Sequence, residues 1–580
     1  MIKGIGASSG IAIGKAFVIP AWEWDFPEKM IDVSDLAYEF EKLYAGIRSS
    51  KNEIESMKQE VSDLIGQKES SIFDAHIAIL DDPVFMNEIQ VIMKKQYKAA
   101  EVAVKEVIDK FINMFELLDD NYMKERALDI RDVGNRLLKN LLQDFEETLP
   151  PKDHPYILVA KELTPSQLVH LNVSNILGIV TMLGGVTSHS AIMARALGIP
   201  LVVGVEGKLA KPIETGDELI IDGENGNIFV NPEPAVIEKY TRMKKALMEQ
   251  REKLLNLAGV PAVTQDGQKV LLEANISSVK DLDLILQNGA DGVGLFRTEF
   301  LYMDRHSLPD EDEQYGVYRQ LAENMRGKPV VIRTLDIGAD KQLDYLPLPE
   351  EDNPFLGYRA IRISLDRKDL FKTQLRAILR ASNHGRVKIM YPMVSSLDEL
   401  RMANELLEEA KRELSERGEA YNRNIEVGLL IEVPAAVAIA DLLAKEVDFF
   451  SIGTNDLIQY VLAVDRMNEN IAHYYDPFHP AIIRYLKNTV EAAKKEGIPV
   501  GVCGELAGDV KFLPIWLGLG VEELSMSVQS ILHVKKSLLD SNVEEAKNIL
   551  EQALQCGTSQ QITQLLNEYY EKKEGVQGAK

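Results

Sequence analysis

Eight short apolar runs in the C-terminal half of the chain constrain its fold more than any other feature. Helical segments separate most of them, and the runs are Val270–Ile276, Gly292–Thr298, Pro329–Asp336, Val387–Val394, Glu426–Val433, Asp448–Asn455, Pro499–Glu505 and Glu522–Ser527. Eight β/α units over roughly 300 residues match a TIM barrel, whose usual span is about 200 to more than 400 residues. A doubly wound sheet is the competing arrangement. We favour the barrel because eight units complete it.

Polar and charged residues gather at the ends of these runs, where the catalytic residues of a TIM barrel lie. A solvated rim would explain two or three of them, but not a charge at the end of most strands. Cys503 has no partner at metal-ligand spacing, so it is either an inert buried residue or a functional thiol. The strand-end residues are Glu273, Asn275, Arg297, Glu299, Arg333, Asp336, Glu432, Asn455, Asp456, Cys503 and Glu505, with Arg466 shortly after.

The types of these side chains indicate the substrate. Arg297, Arg333 and Arg466 offer forked donors that match phosphate and carboxylate oxygens. Glu432 and Asp456 offer hard oxygens of the kind that Mg²⁺ takes, one or two at a time. The set therefore predicts a small substrate with several negative charges and a Mg²⁺ ion beside it.

A second informative stretch, Leu183–Arg195, reads LGGVTSHSAIMAR. Gly184 and Gly185 allow the backbone to turn sharply, and the Ala- and Met-rich residues after them predict a helix. His189 then lies in the first helical turn, where free N–H groups and the helix dipole favour an anion. This arrangement predicts a histidine that accepts a phosphoryl group. The alternative is a surface histidine beside an ordinary helix cap.

The N-terminal half contains two kinds of segment. Residues 33–143 hold one proline and three glycines, with apolar residues at helical spacing, and predict a helical bundle. Strand-like runs occur on both sides of this segment, so we expect the N-terminal strand to join the later ones and the helices to be an insertion. The later runs are residues 156–160, 176–181, 201–204 and 218–223, and a charged helical connector follows over residues 235–257.

Composition limits the class of protein. A formal charge of -25 argues against nucleic-acid binding, and 46% hydrophobic residues excludes a largely disordered chain. The two cysteines, Cys503 and Cys556, form no disulfide framework and indicate a reducing cytoplasm. Lys15 and several glycines interrupt the apolar start, which argues against a signal peptide. We therefore expect a cytoplasmic protein that binds neither nucleic acid nor membrane.

Several motifs resemble one family. The stretch around His189 is similar to the phosphohistidine segment of phosphoenolpyruvate-dependent transferases, which include pyruvate phosphate dikinase, phosphoenolpyruvate synthase and enzyme I of the bacterial sugar phosphotransferase system. Four further motifs resemble the enzyme I barrel and occur in family order, namely residues 331–338 (VIRTLDIG), 353–359 (NPFLGYR), 451–457 (SIGTNDL) and 501–505 (GVCGE). The resemblance covers nearly the whole chain.

The resemblance implies a role for each matching residue. His189 corresponds to the phosphorylated histidine, and Cys503 to the cysteine that protonates the enolate carbon. Glu432 and Asp456 correspond to the residues that hold magnesium. The residues implied for binding phosphoenolpyruvate are Arg297, Arg333, Arg359, Asn455, Asp456 and Arg466, with Arg359 beside the phosphate.

The helical segment distinguishes enzyme I from its relatives. The chain has no room for a large ATP-grasp domain, and no glycine-rich ATP loop precedes His189. Residues 71–82 (SIFDAHIAILDD) instead resemble the enzyme I hairpin that docks the carrier HPr. The resemblance implies carrier contacts by His76, Asp81 and Asp82, although His76 could equally be a helix-face residue and the aspartates an ordinary helix end. Val186 departs from the basic residue that some relatives have there.

The family implies a complete organisation. It comprises a swivelling phosphohistidine β/α domain, an inserted α-helical carrier-binding domain and a C-terminal TIM (β/α)8 barrel that dimerises. We place the first in residues 1–20 and 144–230, the second in 21–143, a helical linker in 231–257, the barrel in 258–573 and a polar tail in 574–580. The implied activity is phosphoryl transfer from phosphoenolpyruvate to His189 and then to HPr. Two alternatives are a non-catalytic sensor of phosphoenolpyruvate and a synthase-like protein without its nucleotide domain.

Overall fold

The computed structural model describes residues 1–19, 24, 26, 29–64, 70, 72–116, 121–142, 154–164, 167, 171, 175–186, 188–209, 211–303, 305, 307–339, 343, 345–468 and 470–577. For residues 62–64, 116, 121–125, 189, 196 and 574–577 it describes the backbone alone. Thr187, in the motif before the histidine, lies outside the described residues. The chain divides into two compact units, Met1–Glu249 and Gln250–Lys580.

An eight-stranded sheet organises the first unit. In the order β1-β8-β7-β3-β4-β5-β6-β2, strand β3 lies between β7 and β4, so the N-terminal strands share a sheet with the later ones. The expected insertion of the helices is therefore confirmed, and β8 is a strand that the sequence analysis did not predict. The strands are β1 (Ile2–Lys3), β2 (Ile5–Ser8), β3 (Ile11–Val18), β4 (Tyr156–Ala160), β5 (Ile176–Thr181), β6 (Leu201–Val203), β7 (Glu218–Asp222) and β8 (Asn227–Val230).

The described residues between β3 and β4 are mainly helical. The buried apolar residues of these helices form one core with residues from one face of the sheet, such as Leu158 and Ile179. The helices are α1 (Leu36–Leu64), α2 (Ile72–Asp81), α3 (Pro83–Gln96), α4 (Ala100–Glu116) and α5 (Asn121–Leu142). Two more follow later in the chain, α6 (His189–Leu197) after β5 and α7 (Pro234–Leu255) after β8.

A closed barrel of eight parallel strands forms the second unit, so the predicted TIM barrel is confirmed. Each strand lies within one of the eight predicted runs, and most end before the run does. The strands are β9 (Leu271–Ile276), β10 (Gly292–Phe296), β11 (Val330–Arg333), β12 (Val387–Tyr391), β13 (Glu426–Ile431), β14 (Phe449–Ile452), β15 (Val500–Val502) and β16 (Glu523–Met526).

Helices surround the barrel and bury its outer face in a large apolar core that includes Ile332, Ile389 and Leu429. Inside the barrel, Leu295, Val331, Met390, Leu430, Phe449 and Cys503 form a smaller apolar cluster. The helices are α8 (Leu282–Gln287), α9 (Glu311–Asn324), α10 (Ile361–Asp366), α11 (Lys368–Ala381), α12 (Leu397–Arg417), α13 (Pro434–Ala438), α14 (Ala440–Leu443), α15 (Thr454–Leu462), α16 (Pro480–Glu496), α17 (Leu513–Leu519), α18 (Val528–Leu539), α19 (Val543–Gln555) and α20 (Ser559–Gln577).

Within the part of the chain that the structure describes, no helix has the length and apolar character needed to cross a membrane. The domain boundaries given above stay predictions.

Candidate functional site

The carboxyl ends of the barrel strands, which we call the mouth, bring the predicted residues of the second unit together. Alternation along each strand turns every second side chain toward the barrel axis. Arg333 is the last residue of β11, and Glu432 and Cys503 directly follow β13 and β15. Arg297 directly follows β10, while Asn455 and Asp456 lie in the first turn of α15. These residues therefore converge because neighbouring strands end at the same level.

Arg333 is buried between two carboxylates. Its Nη2 contacts Glu299 Oε1, and its Nη1 lies 3.0 Å from Asp336 Oδ2. Burial alone would lower the pKa of Arg333, but the negative charges of Glu299 and Asp336 hold it above its ordinary value. Because an arginine with two carboxylates is charged and held in one orientation, its remaining donors are fixed relative to the mouth.

Arg359 joins the same network from the segment before α10. Its Nη2 donates to both carboxylate oxygens of Asp336, at 3.0 and 3.2 Å. Its Nη1 donates to the hydroxyl of Tyr460 at 3.0 Å and lies 3.6 Å from Asp456 Oδ1. Asp336 thus links two buried arginines, Arg333 and Arg359, in a network that also includes Glu299 after β10 and Asp456 after β14.

Glu432 and Asp456 form a pair of buried carboxylates at the mouth. Burial, with the charges of Asp456 and Asp336, raises the pKa of Glu432 well above its ordinary value. Glu432 Oε1 accepts a hydrogen bond from the N–H of Met393 at 2.7 Å. Asp456 Oδ1 is buried and has no hydrogen-bond partner among the described residues. Two crowded carboxylates with an open oxygen fit a divalent cation that completes its shell with substrate and water.

A site of protein ligands alone does not occur in the described ranges, because they contain no group of three or more His, Cys, Asp or Glu side chains placed to hold a metal. A pair of carboxylates suits Mg²⁺ better than Zn²⁺, since Zn²⁺ sites use three or four protein ligands.

Cys503 lies beneath this network and is 3% exposed. Burial raises the pKa of its thiol to about 11, although a hydrogen bond with Ser451 and the charge of Arg333 act in the opposite direction. The thiol therefore carries its proton at neutral pH. The backbone at Cys503 is also fixed, because the side-chain amide of Asn275 donates to its carbonyl at 2.9 Å.

Arg297, Asn455 and Arg466 border the open part of the mouth and are half-buried. Arg297 lines a cavity of about 520 Å³ together with Asn275 and Glu505. Asn455 Oδ1 accepts a hydrogen bond from the N–H of Glu505 at 3.0 Å, and Arg466 Nη1 lies 3.8 Å from Asp456 Oδ1. These residues can reach a ligand that enters from solvent.

Gln374, on α11, supports the mouth from outside the barrel, and the sequence analysis did not single it out. It is fully buried, its Oε1 accepts from the N–H of Leu335 at 2.9 Å, and its Nε2 donates to Thr298 Oγ1 at 3.2 Å. Leu335 precedes Asp336, and Thr298 follows Arg297. A signal was present, since Gln374 interrupts the otherwise apolar buried face of an amphipathic helix.

Glu273 lies lower in the barrel than the sequence analysis expected. It is the third of six residues in β9, and its carboxylate oxygens approach Gly292 and Gly294 of the next strand. Glu523 and Lys388, near the starts of their own strands, are its charged neighbours. The expected strand-end position is therefore wrong, because the predicted run extends beyond Glu273 by three more residues in the barrel wall.

The backbone around His189 matches the predicted arrangement. His189 is the first residue of α6, and the Ser188 side chain caps the helix by accepting from the N–H of Ala191 at 3.4 Å. Gly184 has a φ of +101°, a conformation that favours glycine. Val186 is 43% exposed. The predicted role of the imidazole stays a prediction, because the structure describes only the backbone of His189.

The three residues implied for carrier contact lie in different environments. His76 is 1% exposed, with its Nε2 3.4 Å from Asp129 Oδ1 and its Nδ1 3.9 Å from Asp132 Oδ2. A side chain enclosed in this way cannot contact a carrier directly, which corrects its expected surface position. Asp81 is exposed and contacts Lys51, while Asp82 is exposed and caps α3 by accepting from the N–H of Val84.

Comparison with known proteins places this geometry in a family. Three family models match the chain: "PEP-utilising enzyme, N-terminal" over residues 3–126, "PEP-utilising enzyme, mobile domain" over 152–226 and "PEP-utilising enzyme, PEP-binding domain" over 251–543. The chain is similar to phosphoenolpyruvate-protein phosphotransferases from Geobacillus stearothermophilus, at 47% identity over 97% of the chain and 96% of the relative, and Staphylococcus carnosus, at 44% over 98% and 99%. The corresponding protein of Bacillus subtilis is 45% identical over 98% of the chain and 99% of its own length.

This similarity extends over nearly the full length of the chain and of each relative, and the matched PEP-binding region contains all the strands of the barrel. The buried arginines and carboxylates at the mouth belong to that same region. The chain therefore belongs to the phosphoenolpyruvate-protein phosphotransferase family.

Proposed function

We propose that this protein transfers the phosphoryl group of phosphoenolpyruvate to His189 and then to a histidine of the carrier HPr, with release of pyruvate. This is the first step of the sugar phosphotransferase system. The observation that carries the proposal is the ring of buried arginines and carboxylates at the mouth of the barrel, in a chain of this family. A ligand with one phosphate and one carboxylate matches several fixed guanidinium groups.

The chain's own residues account for the chemistry. Arg297, Arg333 and Arg466 bind the phosphate and carboxylate of phosphoenolpyruvate together with Asn455, and Arg359 lies beside the phosphate. Nε2 of neutral His189 attacks phosphorus, so that an N–P bond forms while the bond from phosphorus to the enolate oxygen breaks. Positioning and charge neutralisation are the main requirements of such a transfer, and a preorganised arginine cluster supplies both.

Cys503 completes the reaction in this proposal. Its thiol gives a proton to the terminal carbon of the enolate, which yields pyruvate, and the thiolate regains a proton from solvent. The raised pKa of Cys503, about 11, supports this role because a general acid must hold its proton before the transfer.

Magnesium is the cofactor that we infer, with Glu432 and Asp456 as its protein ligands. The open, buried Oδ1 of Asp456 and the crowding that raises the pKa of Glu432 both favour a cation between them. When bound, the ion supplies charge neutralisation and an anchor for the substrate's oxygens.

Partners and location follow from the same proposal. HPr would dock on the helical segment near the exposed Asp81 and Asp82, whose charges would complement a basic carrier surface. The proposal also includes a homodimer through the barrel and a cytoplasmic location. It further includes movement of the phosphohistidine domain about the linker at 231–257. Sedimentation analysis of the full chain tests the dimer.

Mass spectrometry after incubation with phosphoenolpyruvate and Mg²⁺ tests the central claim. We expect one phosphate on His189, its transfer to added HPr, and no labelling of a His189→Ala variant. His154→Ala is the matched control, since His154 is an exposed histidine of the same unit outside the motif. Phosphate on another residue, or labelling of His189→Ala, would refute the assignment.

The same assay separates the two alternatives. A sensor would bind phosphoenolpyruvate without forming phosphohistidine or pyruvate, whereas a synthase-like protein would require ATP. Retention of His189, Glu432, Asp456 and Cys503 favours the phosphotransferase, because a sensor needs neither a nucleophile nor an acid.

A further inference from the structure

Tyr460, on α15, lies one helical turn after Asp456 and is half-buried. Its hydroxyl accepts a hydrogen bond from Arg359 Nη1 at 3.0 Å and donates one to the backbone carbonyl of Phe355 at 2.5 Å. Burial raises the pKa of Tyr460 to about 12, so the hydroxyl keeps its proton at neutral pH. The hydroxyl therefore accepts one hydrogen bond from Arg359 and donates one to Phe355, which fixes its position.

Arg359 Nη1 has two possible partners. Tyr460 holds it at hydrogen-bond distance, whereas Asp456 Oδ1, at 3.6 Å, is within ion-pair range but beyond a hydrogen bond. A guanidinium and a carboxylate in a buried site attract each other strongly. Without the hydroxyl, Nη1 would still have Asp456 Oδ1 at 3.6 Å, an oxygen with no hydrogen-bond partner in the described part of the chain.

The remaining contacts of Arg359 would allow such a shift. Its Nη2 is anchored on Asp336, so a small rotation of the guanidinium suffices to bring Nη1 toward Asp456. The side chain of Arg466 is too far from that oxygen to hold its place, since its Nη1 lies at 3.8 Å.

We propose that Tyr460 is a positioning residue that prevents Arg359 from forming a direct hydrogen bond with Asp456 and so keeps Asp456 Oδ1 available for a divalent cation. This inference rests on the proposed function, in which Asp456 is a metal ligand and Arg359 lies beside the phosphate. Tyr460 has Arg359 and the carbonyl of Phe355 as the partners of its hydroxyl. Its hydroxyl acts through Arg359 alone.

A titration of the full chain with Mn²⁺ tests the proposal without turnover. The electron paramagnetic resonance signal of the free ion measures how much Mn²⁺ is bound. We expect Tyr460→Phe to raise the dissociation constant of Mn²⁺ about tenfold, since an arginine contact with Asp456 would compete with the ion. Tyr474→Phe is the matched control, because Tyr474 is 62% exposed and is not among the hydrogen-bond partners of Arg359 within the described ranges. It should bind Mn²⁺ as the unaltered protein does.

A second pair of variants identifies the route of the effect. In an Arg359→Ala background, adding Tyr460→Phe should change the dissociation constant of Mn²⁺ less than about twofold, because Arg359, the residue that Tyr460 restrains, is absent. Thermal unfolding of each variant measures any structural damage, which would persist in that background. An unchanged Mn²⁺ affinity in Tyr460→Phe, or an equal loss in both backgrounds, would overturn the proposal.

The outcome is distinguishable from failure of the proposed function. If the unaltered protein binds Mn²⁺ but forms no phosphohistidine, the phosphotransferase assignment fails while the Tyr460 comparison can still be read. If it forms phosphohistidine and Tyr460→Phe binds Mn²⁺ normally, only the role of Tyr460 fails.

Discussion

The barrel contains two clusters of buried charge, at opposite ends of the same axis. At the mouth, Arg333 and Arg359 meet carboxylates that follow the strands. At the amino ends, which we call the floor, Lys388 lies 2.7 Å from Glu426 and 5.0 Å from the ring centre of Phe449. One strand carries both, since Glu426 begins β13 and Glu432 follows it, with Leu430 of the apolar cluster between them.

The two clusters differ in how completely their groups are paired. Among the described residues, the mouth leaves buried atoms without hydrogen-bond partners, including Asp456 Oδ1, Glu299 Oε2 and Arg333 Nε. No floor residue named here has such an atom in the described ranges. Unpaired buried polar atoms cost stability unless a ligand satisfies them. We infer that the mouth is organised for a ligand and that the floor has a structural role in the barrel.

The largest effect should come from the thiol at the mouth. Cys503→Ser should lower kcat for pyruvate release by about 10²–10⁴-fold, because a serine hydroxyl is a much weaker acid than a thiol. KM for phosphoenolpyruvate should change little, since the arginines that bind it are untouched. Steady-state pyruvate release measures both constants.

Cys556→Ser is the control for this substitution, because Cys556 follows α19, away from the barrel axis, and is only half-buried. It should turn over normally. A normal kcat in Cys503→Ser would remove Cys503 from the mechanism.

The next largest effect tests whether the mouth is held in place from outside the barrel. Gln374→Leu leaves the N–H of Leu335 without its acceptor and Thr298 Oγ1 without a donor. We expect a loss of about 2–4 kcal/mol in the free energy of unfolding. We also expect a lower kcat/KM, because Thr298 adjoins Arg297 and Leu335 adjoins Asp336, the carboxylate that pairs with Arg333 and Arg359. Denaturant unfolding and pyruvate release measure the two quantities.

Gln320→Leu, at an exposed position on α9, should change the free energy of unfolding by less than about 0.5 kcal/mol. If Gln374→Leu lost stability but kept its full kcat/KM, the glutamine would support the barrel without orienting the site.

The sequence predicted the barrel because each strand is apolar on its outer face, and it predicted the mouth because polar residues follow short strands. The region of β14 is an example. The predicted run 448–455 contains the short strand β14 and ends with Asn455, a polar residue in the first turn of α15. The sequence could not predict which carboxylate pairs with which arginine, because Asp336 and Arg359 meet only after the barrel closes.

Two misplacements have the same physical origin. Glu273 and His76 are polar residues whose exposure depends on what packs against them. Gly292 and Gly294, on the next strand, have no Cβ and so leave room for the Glu273 carboxylate inside the barrel. Asp129 and Asp132, more than fifty positions later in the chain, enclose His76. A pattern read within one segment does not contain such partners.

A smaller effect distinguishes the floor from the mouth through pH. Burial and the charge of Glu523 raise the pKa of Glu273 from 4.5 to about 8. Between these values the folded protein holds a proton that the unfolded chain has lost, so stability falls as pH rises from about 4.5 to 8. Glu273→Gln imitates the protonated form and should be the more stable protein at pH 8, by more than about 1 kcal/mol.

Thermal unfolding across this pH range measures the difference, which should shrink toward pH 4.5 and disappear below it, where unfolded Glu273 also holds its proton. The kcat/KM of Glu273→Gln should equal that of the unaltered protein. A large loss of kcat/KM would break the division of roles between floor and mouth.

The smallest effect concerns Glu426 in the same cluster, because its pKa is shifted in the opposite direction to that of Glu273. Burial acts to raise the pKa of Glu426, but its hydrogen bond and ion pair with Lys388 outweigh burial and hold the pKa below its ordinary value. The pairing therefore stabilises the folded state when the pH is above that ordinary pKa, and the stabilisation is lost as pH falls through the lowered pKa.

Glu426→Gln should lose less than about 1 kcal/mol of unfolding free energy at pH 7, because the carboxylate is partly exposed to solvent. Denaturant unfolding at pH 7 and at successively lower pH measures the loss, which should vanish once the pH is below the lowered pKa of Glu426. If Glu426→Gln were instead stabilising at pH 7, Lys388 would be paired mainly with Glu273. The floor would then contain a buried Lys388–Glu273 ion pair, rather than a protonated Glu273 beside a partly exposed Lys388–Glu426 pair.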